Sequence, residues 1–195
     1  MPFYKFKDWT PVAHPSSYVS PEAIVIGNVF IGNDVYIGPG AVLRGDWGKI
    51  IIGDGANVQE NCVIHMFPGT TVHLHENAHV GHGAIIHGAT LKRNCLIGMN
   101  AVVMDDAVIG ENSIIGALSF VAAQTEIADN SLAVGNPAKV IRSLKSDQID
   151  WKTKGTKYYQ KLPKDNAAFL QECMPLSEIE DNRPEQVSDY KTWDK

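Results

Sequence analysis

Cysteine is scarce: Cys62, Cys95 and Cys173 are the only three among 195 residues, an odd number at unrelated spacings. That pattern argues against a disulfide framework and leaves reduced core or surface thiols. Basic runs are missing as well; no five Lys or Arg residues follow one another, and the formal net charge is -5. A phosphate backbone has no electrostatic footprint to settle on, so no nucleic-acid partner is expected. Met1 to Thr10 carries Lys5, Lys7 and Asp8 among aromatics, and so offers neither a signal-peptide core nor a bilayer span. A cytoplasmic protein with no membrane partner is the expectation. With 44% hydrophobic and 20% charged residues, the length suits one globular domain and a tail.

What is abundant is repetition, with a period of six. An aliphatic residue falls at Val19, Val25, Ile31, Ile37 and Leu43, again at Ile52, Val58 and Ile64, and then from Leu74 through Val80, Ile86, Leu91, Ile97, Val103, Ile109, Ile115, Val121 and Ile127. These are eighteen repeats, with one step, Ile86 to Leu91, a residue short. Four positions after each comes a small or β-branched side chain, as at Ala23, Val29, Val35, Ala41, Ala56, Cys62, Ala78, Ala84, Thr90 and Cys95; Trp47 and Pro68 break the rule where the period itself is interrupted. Both breaks mark excursions from the frame.

Three positions after most of the aliphatic residues stands Asn, Asp or Gly: Asn28, Asp34, Gly40, Asp46, Gly55, Asn61, Asn77, Gly83, Asn94, Asn100, Asp106, Asn112 and Asn130. These types tolerate left-handed backbone, so each repeat can be a short strand followed by a corner. Three strands and three corners close a triangular coil, and eighteen repeats make six coils. An antiparallel sandwich or barrel would need hairpin turns instead. The chain resembles the hexapeptide-repeat, left-handed parallel β-helix proteins; the handedness follows from that resemblance, and it runs against the usual right-handed crossover. The fold class expected is mainly β: a lead-in over 1–18, a left-handed β-helix over 19–142, a C-terminal α-helical segment over 143–176 and a tail over 177–195. Ser146 can N-cap a helix toward Tyr158 and Leu162, Pro163 interrupts it, and a second piece follows from about Asn166 to Met174. Gly155 weakens the first piece. The tail, rich in charge, reads as extended or partly disordered.

On this frame the histidines fall into place. Ile64, Leu74 and Val80 complete a coil, so the repeat at Ile86 stacks on the one at Ile64, and His65 and His87 project from one face a coil apart. Coils about 4.8 Å apart suit two imidazoles sharing a metal. His82 sits around a corner and points elsewhere in one chain, but a trimer of triangular prisms brings it toward His65 and His87 of the next subunit. His14, His73, His75 and His79 read as ordinary surface or core side chains.

His65, then His82-x4-His87, with Arg44-Gly45-Asp46 and Asn57-Val58-Gln59, resembles the γ-class carbonic anhydrase family. The resemblance implies a homotrimer in which His65, His82 and His87 bind zinc, His82 coming from the neighbouring subunit; Fe2+ or Co2+ also suits imidazole. It further implies that Arg44 and Asp46 form an inter-subunit ion pair and that Gln59 hydrogen-bonds a metal-bound hydroxide. Trp151-Lys152, Gly155-Thr156, Tyr159-Gln160, Pro175-Leu176 and Glu180-Asp181-Asn182-Arg183-Pro184 resemble the branch of that family containing the phenylacetate-pathway protein PaaY and the carnitine-operon protein CaiE. That likeness covers essentially the whole chain. One is associated with acyl-CoA thioester hydrolysis, the other with an accessory role in carnitine metabolism.

Prototype members carry a glutamate after the Arg-Gly-Asp and another after the first histidine as a proton shuttle. Here those places hold Trp47 and Met66-Phe67-Pro68-Gly69, which should slow CO2 hydration; Glu76 or His75 could substitute. A three-histidine metal with an open position still lowers the pKa of bound water to about 7. The expected function is therefore a zinc-dependent acyl-CoA thioesterase, with Asn57, Tyr158 and Tyr159 as candidate substrate contacts. Alternatives are carbonic anhydrase acting on CO2 and bicarbonate, a CaiE-like accessory protein without turnover, and a hexapeptide acyltransferase.

Overall fold

The computed structural model describes residues 2–193; Met1, Asp194 and Lys195, the outer ends of the lead-in and the tail, lie outside the described residues. The chain winds into a parallel β-solenoid of about seven turns with a single C-terminal helix. One face stacks Phe3–Tyr4, the first half of Ile24–Ile31, the first half of Val42–Ile52, Val63–His65, Ile85–His87, Val102–Val103 and Phe120–Val121. A second begins at Val12–Ala13, takes the far halves of the two long strands, and continues through Thr71–Leu74, Thr90–Leu91, Val108–Ile109 and Glu126–Ile127. The third runs from Tyr18–Val19 through Tyr36–Ile37, Asn57–Val58, His79–Val80, Leu96–Ile97 and Ile114–Ile115 to Ser131–Gly135. Ala138–Ser143 then turns back antiparallel along that last strand.

The period of six appears as an inward ladder: from Val25 to Ile127 every aliphatic position named above is buried, and Val19 packs partly buried at its foot. Each such side chain contributes about 1.5–3 kcal/mol by leaving water. The small-residue ladder holds too, with one shift. Ala89 occupies the inward place expected of Thr90, because the short step after Ile86 advances the frame by one residue.

Left-handed backbone occurs at most of the expected corners, from Asp34 to Asn130. At the first, Gly27 takes the conformation rather than Asn28, and Asp46 lies extended within Val42–Ile52. Leu118 and Gln124 also adopt it, against their intrinsic preference, because the repeat leaves their corners no other path.

Three expectations change. The solenoid starts before Val19: Phe3–Tyr4 and Val12–Ala13 already run in register with the next turn. A detour closed by the Phe6–Trp9 bridge lengthens that turn and hides the period. The C-terminal segment is one helix, α1 (Ser146–Phe169), continuous through Gly155 and Pro163. Its first turn is capped from Lys145, whose N–H donates to Gln148 Oε1 at 3.2 Å, rather than by Ser146. Beyond Phe169 nothing buries the apolar side chains, and Leu170 and Met174 stay exposed without helix.

Contacts with the third face explain why α1 survives its breakers. Lys152 Nζ donates to Asn77 O at 3.0 Å and Asn94 Oδ1 at 2.8 Å, and Gln160 Nε2 donates to Gly55 O at 3.0 Å and Asn77 Oδ1 at 2.7 Å. Tyr159 wedges between Tyr36 and His79. At Gly155 the absent side chain lets the Tyr190 hydroxyl approach the helix backbone; a Cβ there would push that ring outward. That contact belongs to the tail, whose last described residues fold back on α1. Trp151 Nε1 donates to Lys191 O at 2.9 Å, Lys154 pairs with Asp189 at 2.7 Å, and Tyr190 stacks on Trp151.

Candidate metal centre and adjoining cleft

His65 and His87 are strand neighbours in register on the first face, their rings 5.4 Å apart. The carboxylate of Asp105, one turn further on, lies 2.7 Å from His87 Nδ1 and fixes that ring while leaving Nε2 free. His65 Nε2 lies 3.2 Å from Asp46 Oδ1, whose other oxygen accepts from Arg44 Nη1 at 2.8 Å. Arg44 and Asp46, expected as an inter-subunit pair, thus bond within this chain; alternate residues of one strand share a face. Burial pushes the Asp46 carboxyl up, but the Arg44 hydrogen bond and charge outweigh it and hold the group below the usual range. Burial, then the Arg44 charge, lowers the His65 imidazole.

His82 lies around the corner between the third and first faces and is half exposed. Its Nδ1 is 2.5 Å from Glu60 Oε2, and Tyr36 Oη donates to Glu60 Oε1 at 2.7 Å. Tyr36 and its companions offset the burial of Glu60 and keep it ionised. Among the described residues no three His, Cys, Asp or Glu side chains converge within one chain. The donor chemistry nonetheless fits zinc. Two imidazoles, His82 and His87, each have Nδ1 against a carboxylate and Nε2 unoccupied, the arrangement that orients metal-binding histidine.

Gln59 and Asn57 sit on the third face beneath α1. Gln59 Nε2 donates to Asn57 Oδ1 at 3.0 Å and to His79 Nε2 at 2.5 Å. His79 accepts at Nε2, so its Nδ1–H donates to Thr156 Oγ1 at 3.3 Å. Burial, with the Lys152 charge and His82 adding, pushes the His79 imidazole down to about 3, and the ring is neutral. Asn57 Nδ2 is the one buried side-chain polar atom without a partner among the described residues. Beside this group a cleft of about 750 Å³ opens between α1 and the third face, with Gln59, Glu60 and His82 at its polar margin and Tyr158 and Tyr159 among its walls.

With this geometry in view, comparison with known proteins becomes informative. Residues 88–123 match the bacterial transferase hexapeptide (six repeats) family. The carnitine operon protein CaiE of Escherichia coli O157:H7 is 47% identical over 184 residues, 94% of each chain. This chain belongs to the CaiE branch of the hexapeptide-repeat family. Two crystal structures sit close to this CaiE-branch fold. A Bacillus cereus gene product assigned as an acetyltransferase is 35% identical, with a TM-score of 0.81 over 83% of this chain and 94% of its own. A hexapeptide transferase family protein from Anaplasma phagocytophilum is 31% identical, with a TM-score of 0.80 over 83% and 96%.

In this CaiE-branch chain the two excursions stack on each other, Gly69 N–H donating to Trp47 O at 2.8 Å. They place Trp47 on the His65 ring at 5.0 Å and Phe67 edge-on to His87 at 5.3 Å. Apolar surface therefore stands beside the imidazoles where a carboxylate shuttle would be. His75 stacks instead on His73 at the second face, and neither it nor Glu76 bonds to His65 or His87. Sequence reasoning missed Asp105, Glu60 and Lys152. Asp105 was within reach, because it stands one turn beyond the His87 corner: the short step after Ile86 makes that turn 17 residues, which sets Asp105 level with Gly88, next to His87. The excursion around Phe67 hides the same relation between Glu60 and His82. Lys152 is 1% exposed; the helical spacing of Gln148, Lys152, Gly155 and Thr156 was the available signal, obscured because lysine is seldom buried.

Proposed function

We propose that this CaiE-branch protein is a zinc-dependent hydrolase of acyl-CoA thioesters, with its sites between the subunits of a homotrimer. The observation that carries the reading is the pair of carboxylate-backed imidazoles, His82 on one corner and His87 on the first face beside His65. Within one chain they face apart, so a complete ligand set requires a second copy. Support for that copy comes from the outer surface of the first face, where Ile24, Val42, Val63, Ile85, Val102 and Phe120 form one register-matched apolar ladder beside His65 and His87. An apolar stripe of this kind, exposed at Ile24, Val63 and Ile85 and partly exposed between and beyond them, is the mark of an association surface.

Zinc held by these imidazoles supplies a Lewis acid and an activated water at neutral pH. The chain's own residues provide the rest. Asp105 and Glu60 orient two of the ligand rings. Asp46, held by Arg44, stands beside His65 and fixes its ring. Gln59 commits its carboxamide nitrogen to Asn57 and His79, and its oxygen, with no bond among the described residues, accepts from the attacking water. Trp47 and Phe67 place apolar surface against the His65 and His87 rings; this favours an apolar acyl thioester over rapid proton export to buffer. A second reading, acyl transfer to an amine or hydroxyl, is favoured by the family match over residues 88–123.

The deciding experiment is elemental analysis with solution mass on tag-free protein and on His82→Ala, followed by thiol release from acyl-CoA. One zinc per chain in a particle about three times 21.3 kDa, lost in the variant together with thiol release, is the expected result. A monomer that takes up no zinc, or a trimer that releases no thiol, overturns the hydrolase. In that case fast CO2 hydration at low buffer points to carbonic anhydrase, acylated product to a transferase, and neither to an accessory protein.

A further inference from the structure

The cleft beside α1 has a composition that the ligand chemistry above does not use. Its walls are apolar and aromatic: Leu96, Met99 and Ala117 from the solenoid, Trp151 and Leu162 from α1, and Tyr190 from the tail. Its floor offers no unmatched charge. His79 is engaged on both nitrogens, and the Lys152 amine is turned to Asn77 O and Asn94 Oδ1. A volume of about 750 Å³ is in the range of small-molecule sites, and such a lining suits an uncharged, apolar group. On the solenoid side its polar end is the His82–Glu60–Gln59 margin.

The lip along α1 differs from the floor. At about 100° per residue, Lys154, Lys157, Lys161 and Lys164 share one side of the helix, which meets the cleft at Lys161, the member of the set that lines it. Lys154 is tied to Asp189, whereas Lys157, Lys161 and Lys164 have no ion pair among the described residues. Asp165 is the one acid lining the cleft from the lower half of α1, which leaves the lip with net positive charge in a chain of net charge -5. A basic edge next to an apolar cleft matches a ligand with an apolar group at one end and phosphates at the other.

We infer that the cleft between α1 and the third face takes the apolar acyl group of a CoA thioester, its carbonyl toward His82, while Lys157, Lys161 and Lys164 bind the carrier's phosphates. The inference rests on the thioesterase reading for the identity of the carrier, and its test separates the two. The full-length protein is titrated calorimetrically with S-hexyl-CoA, a thioether that cannot be hydrolysed, and with CoA itself. S-hexyl-CoA is expected to bind at least about tenfold more tightly, since six buried methylene-sized groups carry far more than that factor. Ala117→Trp, a substitution at an exposed corner, fills the cleft and removes this preference while leaving CoA binding intact. The combined Lys157→Ala, Lys161→Ala and Lys164→Ala variant weakens both ligands about tenfold or more at low salt, and in about 0.5 M salt the wild type falls to the same level. Equal affinity for the two ligands, or indifference to both variants, overturns the assignment even if thioesters are hydrolysed. Binding with the stated responses but no hydrolysis keeps the cleft and removes the hydrolase.

Discussion

His79 and His82 stand three residues apart on the same turn, and their surroundings could hardly differ more. His82 is half exposed and backed by a carboxylate that is itself pinned by Tyr36. His79 lies partly buried under α1, backed by an amide and a hydroxyl, with Tyr159 edge-on to its ring. A carboxylate behind an imidazole makes the free nitrogen a better donor to a cation; burial beneath α1 holds the His79 ring neutral, while an amide and a hydroxyl occupy both its nitrogens. His87 with Asp105 repeats the first arrangement, and Lys152 extends the second. Neither residue type nor repeat position therefore distinguishes a ligand from a packing group here. The partner behind the ring does.

The sharpest way to test the buried half of this contrast is through pH. Burial pushes the Lys152 amine from 10.5 down to about 7. Below about pH 7 folded and unfolded chains both carry the proton and the slope is zero. Between about pH 7 and 10.5 the unfolded chain holds a proton the folded one has lost, so stability rises with pH, by up to about 1.4 kcal/mol per unit. Urea melts at about pH 7 and 9 should show this rise in the wild type and a flat response in Lys152→Met; parallel curves would mean the amine stays charged in place. His79 gives the same sign on the acid side, losing stability as pH falls from about 6.5 toward about 3. The exposed half is tested by Asp105→Asn and Glu60→Gln, each expected to weaken zinc by about 10–100-fold in competition with a chelating dye. Unchanged affinity would reduce both carboxylates to a structural role. The smallest effect is expected of Thr156→Val, which removes the acceptor behind His79: a loss of about 1 kcal/mol in denaturant unfolding with zinc affinity untouched.

Much of this was legible before any coordinates. Inward aliphatic residues at every sixth position call for a coil of three parallel strands per turn, and counting repeats across the Phe67 excursion put His87 on His65, as the strand register has it. The first turn was not legible, because the Phe6–Trp9 detour replaces the period with aromatic packing. The continuity of α1 was hidden for a different reason: local propensity argues against Gly155 and Pro163, and only Lys152, Gln160 and Tyr190, reaching distant parts of the chain, override it. Asn57 and Gln59 were placed in a motif by likeness; their bonds to His79 could not be counted from spacing, since His79 reads as an ordinary repeat residue.

The returning strand Ala138–Ser143 has a consequence beyond ending the solenoid. Its polarity is reversed relative to every other pairing of named strands among the described residues, so on the third face the stack presents no parallel template to a second coil arriving end-on. The top strands left open on the other faces, Phe120–Val121 and Glu126–Ile127, are two residues long, too short to recruit a partner alone. At this end, stacking one coil on another along the axis finds no long parallel edge to continue.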